Sequence, residues 1–293
     1  MDVFVRLLNV LLMVAMPLAL GVILVRRSRV EWRIFLLGAG AFIGSQIFHL
    51  PFNGYVLSPL TERLGLPGLD GGVPLLLYAI LFGLSAGVFE EVARYLVYRI
   101  WMRESRTKWD GLMFGTGHGG LESILLGGLA GLALFQAITY RNADLSAVVP
   151  PEQLELARAQ LEAYWTAPWY AVLLSAAERF FTICFHLSAA LLVLQAFVHR
   201  NPVWLAVAIG WHAILDTLAV FALVTWGAYV SEGFVGLIAL LSLGIVYVLW
   251  RRDGEEQEVP SLPSVDRKIR AREPDLEFEE LPDGRLEDSR YDS

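Results

Sequence analysis

Seven runs of about 20 apolar residues, separated by shorter polar stretches, constrain this chain more than any other feature. A helix rises 1.5 Å per residue, so each run can cross a hydrocarbon core about 30 Å thick. The runs lie near residues 3–25, 34–52, 73–100, 110–139, 168–198, 203–224 and 227–250. Of the 293 residues, 56% are hydrophobic and 18% charged, which is too apolar for a soluble domain of this length. The expected fold is all-α: a polytopic membrane helix bundle of about seven transmembrane helices. The single cysteine, Cys184, excludes an intramolecular disulfide and a cysteine-based metal site, and its apolar surroundings point to packing.

Basic residues alternate between the connections. Four lie in 26–33, one in 53–72, four in 99–108 and two in 140–167, and Arg251 and Arg252 follow the last run. The positive-inside rule therefore places the N-terminus outside and the C-terminus in the cytoplasm. The first run is read as a retained helix, because its basic cluster follows the apolar run where a signal peptide has it in front. Residues 1–250 form the expected membrane-embedded domain. Residues 251–293 carry 14 acids against 8 bases, most of the net charge of -7, and read as a disordered acidic cytoplasmic tail. In the long fourth connection, Pro150-Pro151 followed by EQLELARAQLEAYW predicts an amphipathic surface helix.

The functional signal is the set of ionisable residues inside the runs. Each costs roughly 2.5–3.5 kcal/mol at the bilayer centre, so a helix keeps one only when it is paired, wetted or neutralised. The third run holds Glu90, Glu91 and Arg94, and the fourth holds His118 and Glu122. The fifth holds Glu178, Arg179 and His186, and the sixth holds His212 and Asp216. Residues four apart share a helix face, so Glu90 with Arg94, His118 with Glu122, and His212 with Asp216 form the expected pairs. Counted from the basic-loop ends, Glu90 lies at roughly 15 Å, His118 at about 12 Å, His186 at about 18 Å and His212 at about 13 Å. Four helices thus bring acids and imidazoles to one level, with His49 and Glu178 expected to stand apart nearer the outer half.

Two chemistries suit such a set. A water between Glu90 or Glu91 and the histidines could be deprotonated and directed at a carbonyl, with an imidazole protonating the leaving amine. Alternatively, His118 and His212 with Glu122, and His186 as a further candidate, could ligate one zinc ion that leaves a position open for water. The HExxH helix of many zinc peptidases, the GxSxG elbow and the P-loop are all absent. The glycines flanking His118 suit close helix packing.

The order EEVAR at 90–94, FGTGH at 114–118 continuing to Glu122, and HAILD at 212–216 resembles the YhfC family of intramembrane metalloproteases over roughly residues 1–250. Through it the chain resembles the CAAX prenyl-protease and bacteriocin-immunity superfamily with its PrsW-type members. The resemblance implies that Glu90 activates water beside Glu91 and that Arg94 orients the pair. His118 and His212 would bind the water, a metal or the scissile carbonyl. Asp216 stands where prenyl proteases often have Asn, and the spacing EExxR departs from their EExxxR. The expected activity is intramembrane endopeptidase action on a membrane-associated protein or peptide in a prokaryotic cell membrane, through a cleft open toward the cytoplasmic half, with no nucleic-acid partner. Two other readings stay open: a non-catalytic scaffold or immunity-type protein, and a proton-coupled transporter.

Overall fold

A computed structural model describes residues 2–66 and 71–256, the side chains as far as 251. Among these residues there are helices and turns and no strand. In chain order the helices are α1 (Asp2–Ser28), α2 (Trp32–Phe52), α3 (Ser58–Arg63), α4 (Gly72–Ile100), α5 (Lys108–Tyr140), α6 (Pro151–Thr166), α7 (Trp169–Val172), α8 (Leu174–Val198), α9 (Val203–Trp226) and α10 (Ala228–Glu256). Seven helical segments are long and apolar enough to cross a membrane: 2–28, 32–63, 72–100, 108–140, 169–198, 203–226 and 228–251. The chain is an integral, multi-pass membrane protein of helical class. The helix expected to stop near 250 continues to Glu256, and residues 257–293 of the expected tail lie outside the described residues.

Local signals in the sequence account for the helix ends. Thr107 and Asp110 form a reciprocal capping box at the start of α5: the Asp110 amide donates to Thr107 Oγ1 at 3.2 Å and the Thr107 amide to Asp110 Oδ2 at 2.9 Å. Gly227, at φ 87°, lets the chain reverse between α9 and α10 in a single residue, in a backbone region that a side chain would make costly. Pro51 lacks the amide that would continue the α2 ladder, and directly after it the helix passes through one π turn, Asn53–Leu57, before α3. As expected, α6 has no buried residue. It is tied to α1 by Arg6, whose guanidinium donates to the Tyr164 carbonyl and lies 4.7 and 5.1 Å from the Tyr164 and Trp165 rings.

Helices in lipid gain little from apolar burial and associate through close packing, which small residues permit. Glycines do this around α5. A Cβ at Gly117 would stand 2.0 Å from the Phe35 carbonyl oxygen of α2, and one at Gly38 would stand 2.1 Å from that of Phe114. Gly115 and Gly119 meet His186 of α8 in the same way, and Gly120 meets Pro17 of α1. On α4, Gly83 and Gly87 lie against the α9 backbone at Ala213 and Ile209. The glycines beside His118 therefore lock three helices onto α5, and those of α4 bring His212 beside Glu91.

Toward the helix ends that carry the basic loops, the bundle is solid. Tyr98, Met102, Met113, Phe114, Leu191 and Leu194 are each 0–1% exposed and belong to one apolar cluster. That plug forms the floor beneath the polar residues.

Candidate active site

Glu90 and Glu91 are neighbours on α4, yet a helix turns by 100° per residue, so they address different partners. Glu90 Oε2 lies 3.0 Å from His118 Nε2, 3.9 Å from His212 Nε2 and 3.7 Å from Arg94 Nη2. Its other oxygen, Oε1, accepts from Gln46 Nε2 of α2 at 3.0 Å. Glu91 is fully buried, with Oε1 2.7 Å from His212 Nδ1 and Oε2 3.4 Å from Arg94 Nε. With Glu91 ionised and able only to accept, His212 Nδ1 carries the proton. Its Nε2 is then turned toward Glu90 and toward Asp216 Oδ2, 3.7 Å away. The EExxR spacing thus lets one arginine reach both glutamates, Glu90 by i+4 and Glu91 by i+3.

Arg94 also crosses to α8. Its Nη1 donates to the His186 carbonyl at 3.3 Å, and its Nη2 lies 2.7 Å from His186 Nδ1. A guanidinium has no acceptor, so Nδ1 must accept and a neutral His186 carries its proton on Nε2. That nitrogen is 2.8 Å from Glu122 Oε2, and the other Glu122 oxygen accepts from Arg179 Nη1 at 2.6 Å. Arg179 Nη2 donates to Glu178. A continuous polar chain therefore runs from Glu91 through Arg94, His186, Glu122 and Arg179 to Glu178. His118 and Glu122 share a face of α5 as expected, but they bond to different partners.

One cavity of 580 Å³ exposes this network, lined among others by Gln46, Glu90, Glu122, His186, His212 and Asp216. His49 and Glu178 line it too, so the two residues expected to stand apart share the wall of the site. At 1.5 Å per residue, the lining residues lie roughly 14–30 Å from the basic-loop ends of their helices. The apolar plug occupies the space below. The cavity therefore lies on the side of the plug away from the basic loops, because bulky aromatic and aliphatic side chains fill the basic-loop side.

Glu90, His118 and His186, all buried, each offer one ligand atom within 4.8 Å of the other two. This set shares His118 and His186 with the expected ligands and adds Glu90. His212 and Glu122 adjoin it, His212 held by Glu91 through Nδ1 in the way that a carboxylate commonly orients a ligating imidazole. Glu90, Glu91, Glu122, Glu178 and Asp216 outnumber Arg94 and Arg179, an acid excess at membrane depth that a divalent cation would offset. Imidazole and carboxylate donors suit zinc. The residues fit such an ion, although His186 must release Glu122 or Arg94 to ligate it.

The model of the family described as "YhfC intramembrane metalloprotease" matches residues 11–241, most of the chain and every helix of the site. The chain belongs to the YhfC family. A curated relative, the "Uncharacterized membrane protein YhfC" of Bacillus subtilis (strain 168), is 32% identical over 246 residues, covering 78% of this chain and 88% of that protein. No solved structure matches the chain.

In this member of the YhfC family all seven residues singled out for catalysis, Glu90, Glu91, Arg94, His118, Glu122, His212 and Asp216, lie in the polar network or line its cavity. Two contributors passed unnoticed in the sequence, Gln46 and Thr182 on the cavity wall, and Arg179, seen in the fifth run, was not paired there with Glu122. Gln46 carried a faint signal, a polar amide in an apolar run three residues before His49.

Proposed function

We propose that the chain is an intramembrane endopeptidase that hydrolyses a peptide bond of a membrane-associated protein or peptide at the Glu90 cluster. The observation that carries this reading is the position of Glu90 Oε2: one carboxylate oxygen, on the wall of a cavity at membrane depth, shared by two imidazoles and a guanidinium. Such an oxygen can accept a proton from a water as that water attacks a carbonyl carbon, and return it to the departing nitrogen as the C–N bond breaks. Gln46 holds the second Glu90 oxygen and so aims the first, while Glu91 fixes the His212 ring so that Nε2 faces the same space. Arg94 balances the charge of both glutamates from beneath. If Glu90, His118 and His186 hold a zinc ion, that ion supplies Lewis-acid activation of water and carbonyl, and a carboxylate other than Glu90, such as Asp216, handles the proton.

The test compares new protein termini in membranes that contain the wild type or Glu90→Gln, His118→Ala or His212→Ala. Termini present with the wild type should disappear with each variant, and in Glu90→Gln, which keeps the side-chain shape, the elution profile and melting temperature should stay near wild type. Cleavage unchanged in Glu90→Gln would remove the assignment. The bonding of both His186 nitrogens, Nδ1 to Arg94 and Nε2 to Glu122, favours a second reading, a non-catalytic scaffold held by the network. On that reading each substitution lowers the melting temperature and function together.

A further inference from the structure

We propose that the cavity is entered sideways, between α2 and α5, in the half of the membrane away from the basic loops, by an apolar membrane-embedded segment whose scissile bond lies in that half. This rests on the hydrolytic reading above and adds to it the route of entry and the class of substrate.

The rim supports the route. Ile43 and Leu50 of α2 and Leu125 and Leu126 of α5 line the cavity, yet are between 37% and 63% exposed. On a membrane-spanning helix such exposed aliphatic side chains face lipid. The backbone contacts that pin α2 to α5, Gly38 with Phe114 and Gly117 with Phe35, lie on the basic-loop side of His118. Beyond them the two helices contribute lining residues.

The walls support the substrate class. The interior offers Gln46, Thr182 and Arg179 beside the acids, polar groups to which an unwound peptide could bond in place of its own helical partners. An apolar segment can cross the aliphatic rim without losing solvation, whereas a charged peptide arriving through lipid would meet a large cost. By the positive-inside rule the basic loops are cytoplasmic, so the mouth faces the outer half. The floor of Tyr98, Phe114, Leu191 and Leu194 closes the cytoplasmic route.

The experiment reads access and needs no hydrolysis. In a Cys184→Ala background, Ala219→Cys on the cavity wall and Arg103→Cys in a basic loop are challenged with a membrane-impermeant cationic thiosulfonate in sealed vesicles of both orientations. Ala219→Cys should react from the face opposite to that which labels Arg103→Cys. Reaction from the same face, or from neither, would overturn the proposal. A photoactivatable residue is then placed at Leu126 or, as a control, at the exposed Leu36 in the basic-loop half of α2. Both are irradiated with a Leu/Ala transmembrane peptide capped by lysines. Capture should favour Leu126, and equal capture would refute entry between α2 and α5. Repeating both measurements with Glu90→Gln separates the two readings: access that persists in that variant supports the route whatever the chemistry, whereas a wild type that cleaves without showing such access rejects the route alone.

Discussion

Replacing Arg94 with Met keeps much of the side-chain volume and deletes the charge at the most connected point of the site. Arg94 is 0% exposed and touches Glu91 at 3.4 Å, Glu90 at 3.7 Å, His186 Nδ1 at 2.7 Å and the His186 carbonyl at 3.3 Å. Removing one member of a buried ion pair strands its partner, which costs about 3–5 kcal/mol. Here two carboxylates lose the same counter-charge, which puts the cost at the upper end. At roughly 2–4 °C per kcal/mol for a chain of this size, the melting temperature should fall by about 10–20 °C. The nine tryptophans provide a fluorescence melt of the detergent-purified protein. Adding Glu91→Gln to Arg94→Met removes one stranded charge and should return part of the loss, because contacting residues couple by about 0.5–3 kcal/mol. An Arg94→Met protein melting within 2 °C or so of wild type, or a double variant no more stable than the single, would refute the argument that this arginine is the internal counter-ion.

Other consequences follow from the same geometry. Gly117→Ala forces a Cβ to 2.0 Å from the Phe35 oxygen, so α2 and α5 must separate. The expected cost is about 1–3 kcal/mol or more, seen as a lower melting temperature, whereas Gly40→Ala and Gly128→Ala, with open space around the added carbon, should be neutral or slightly stabilising. Elemental analysis of the purified wild type should find one divalent cation per chain that is lost in His118→Ala; metal absent from both would favour a glutamate–histidine mechanism. Arg6→Ala should free α6 from α1, since it removes a backbone hydrogen bond and two cation–π contacts, each contact worth about 0.5–2 kcal/mol. Limited proteolysis within 141–167 should then accelerate without a matching change in the melting of the bundle.

The membrane class, the number of crossings and the levels of Glu90, His118, His186 and His212 were all legible in the sequence. Run length and the rise of a helix are local properties, and neither depends on which helices touch. Face-sharing was legible too, and for Glu90 with Arg94 it led to a direct contact. For His118 and Glu122 it did not, because each found a nearer partner on another helix. The second metal-capable imidazole belongs to the same class of problem: His186 and Glu90 come within reach of His118 only through the packing of Gly115 and Gly119 against α8 and the course of α4.

The direction of the cavity lay beyond any reading along the chain. Depth from the basic loops was countable residue by residue, but which side of that level is filled depends on side chains from several helices sharing one space. Tyr98, Phe114 and Leu191 look like ordinary apolar residues in their own runs, and only their convergence makes a floor. Likewise His49 and Glu178 were displaced from the cluster by axial distance, while the cavity extends along the axis far enough to include them. The sequence by itself determined that this protein spans the membrane seven times and keeps acids, imidazoles and arginines at one depth, since hydrophobic run length and the cost of buried charge act on each segment alone. Tertiary structure alone decided which nitrogen faces which oxygen and on which side of the plug the cavity lies, since those depend on how glycine-lined helices close on one another.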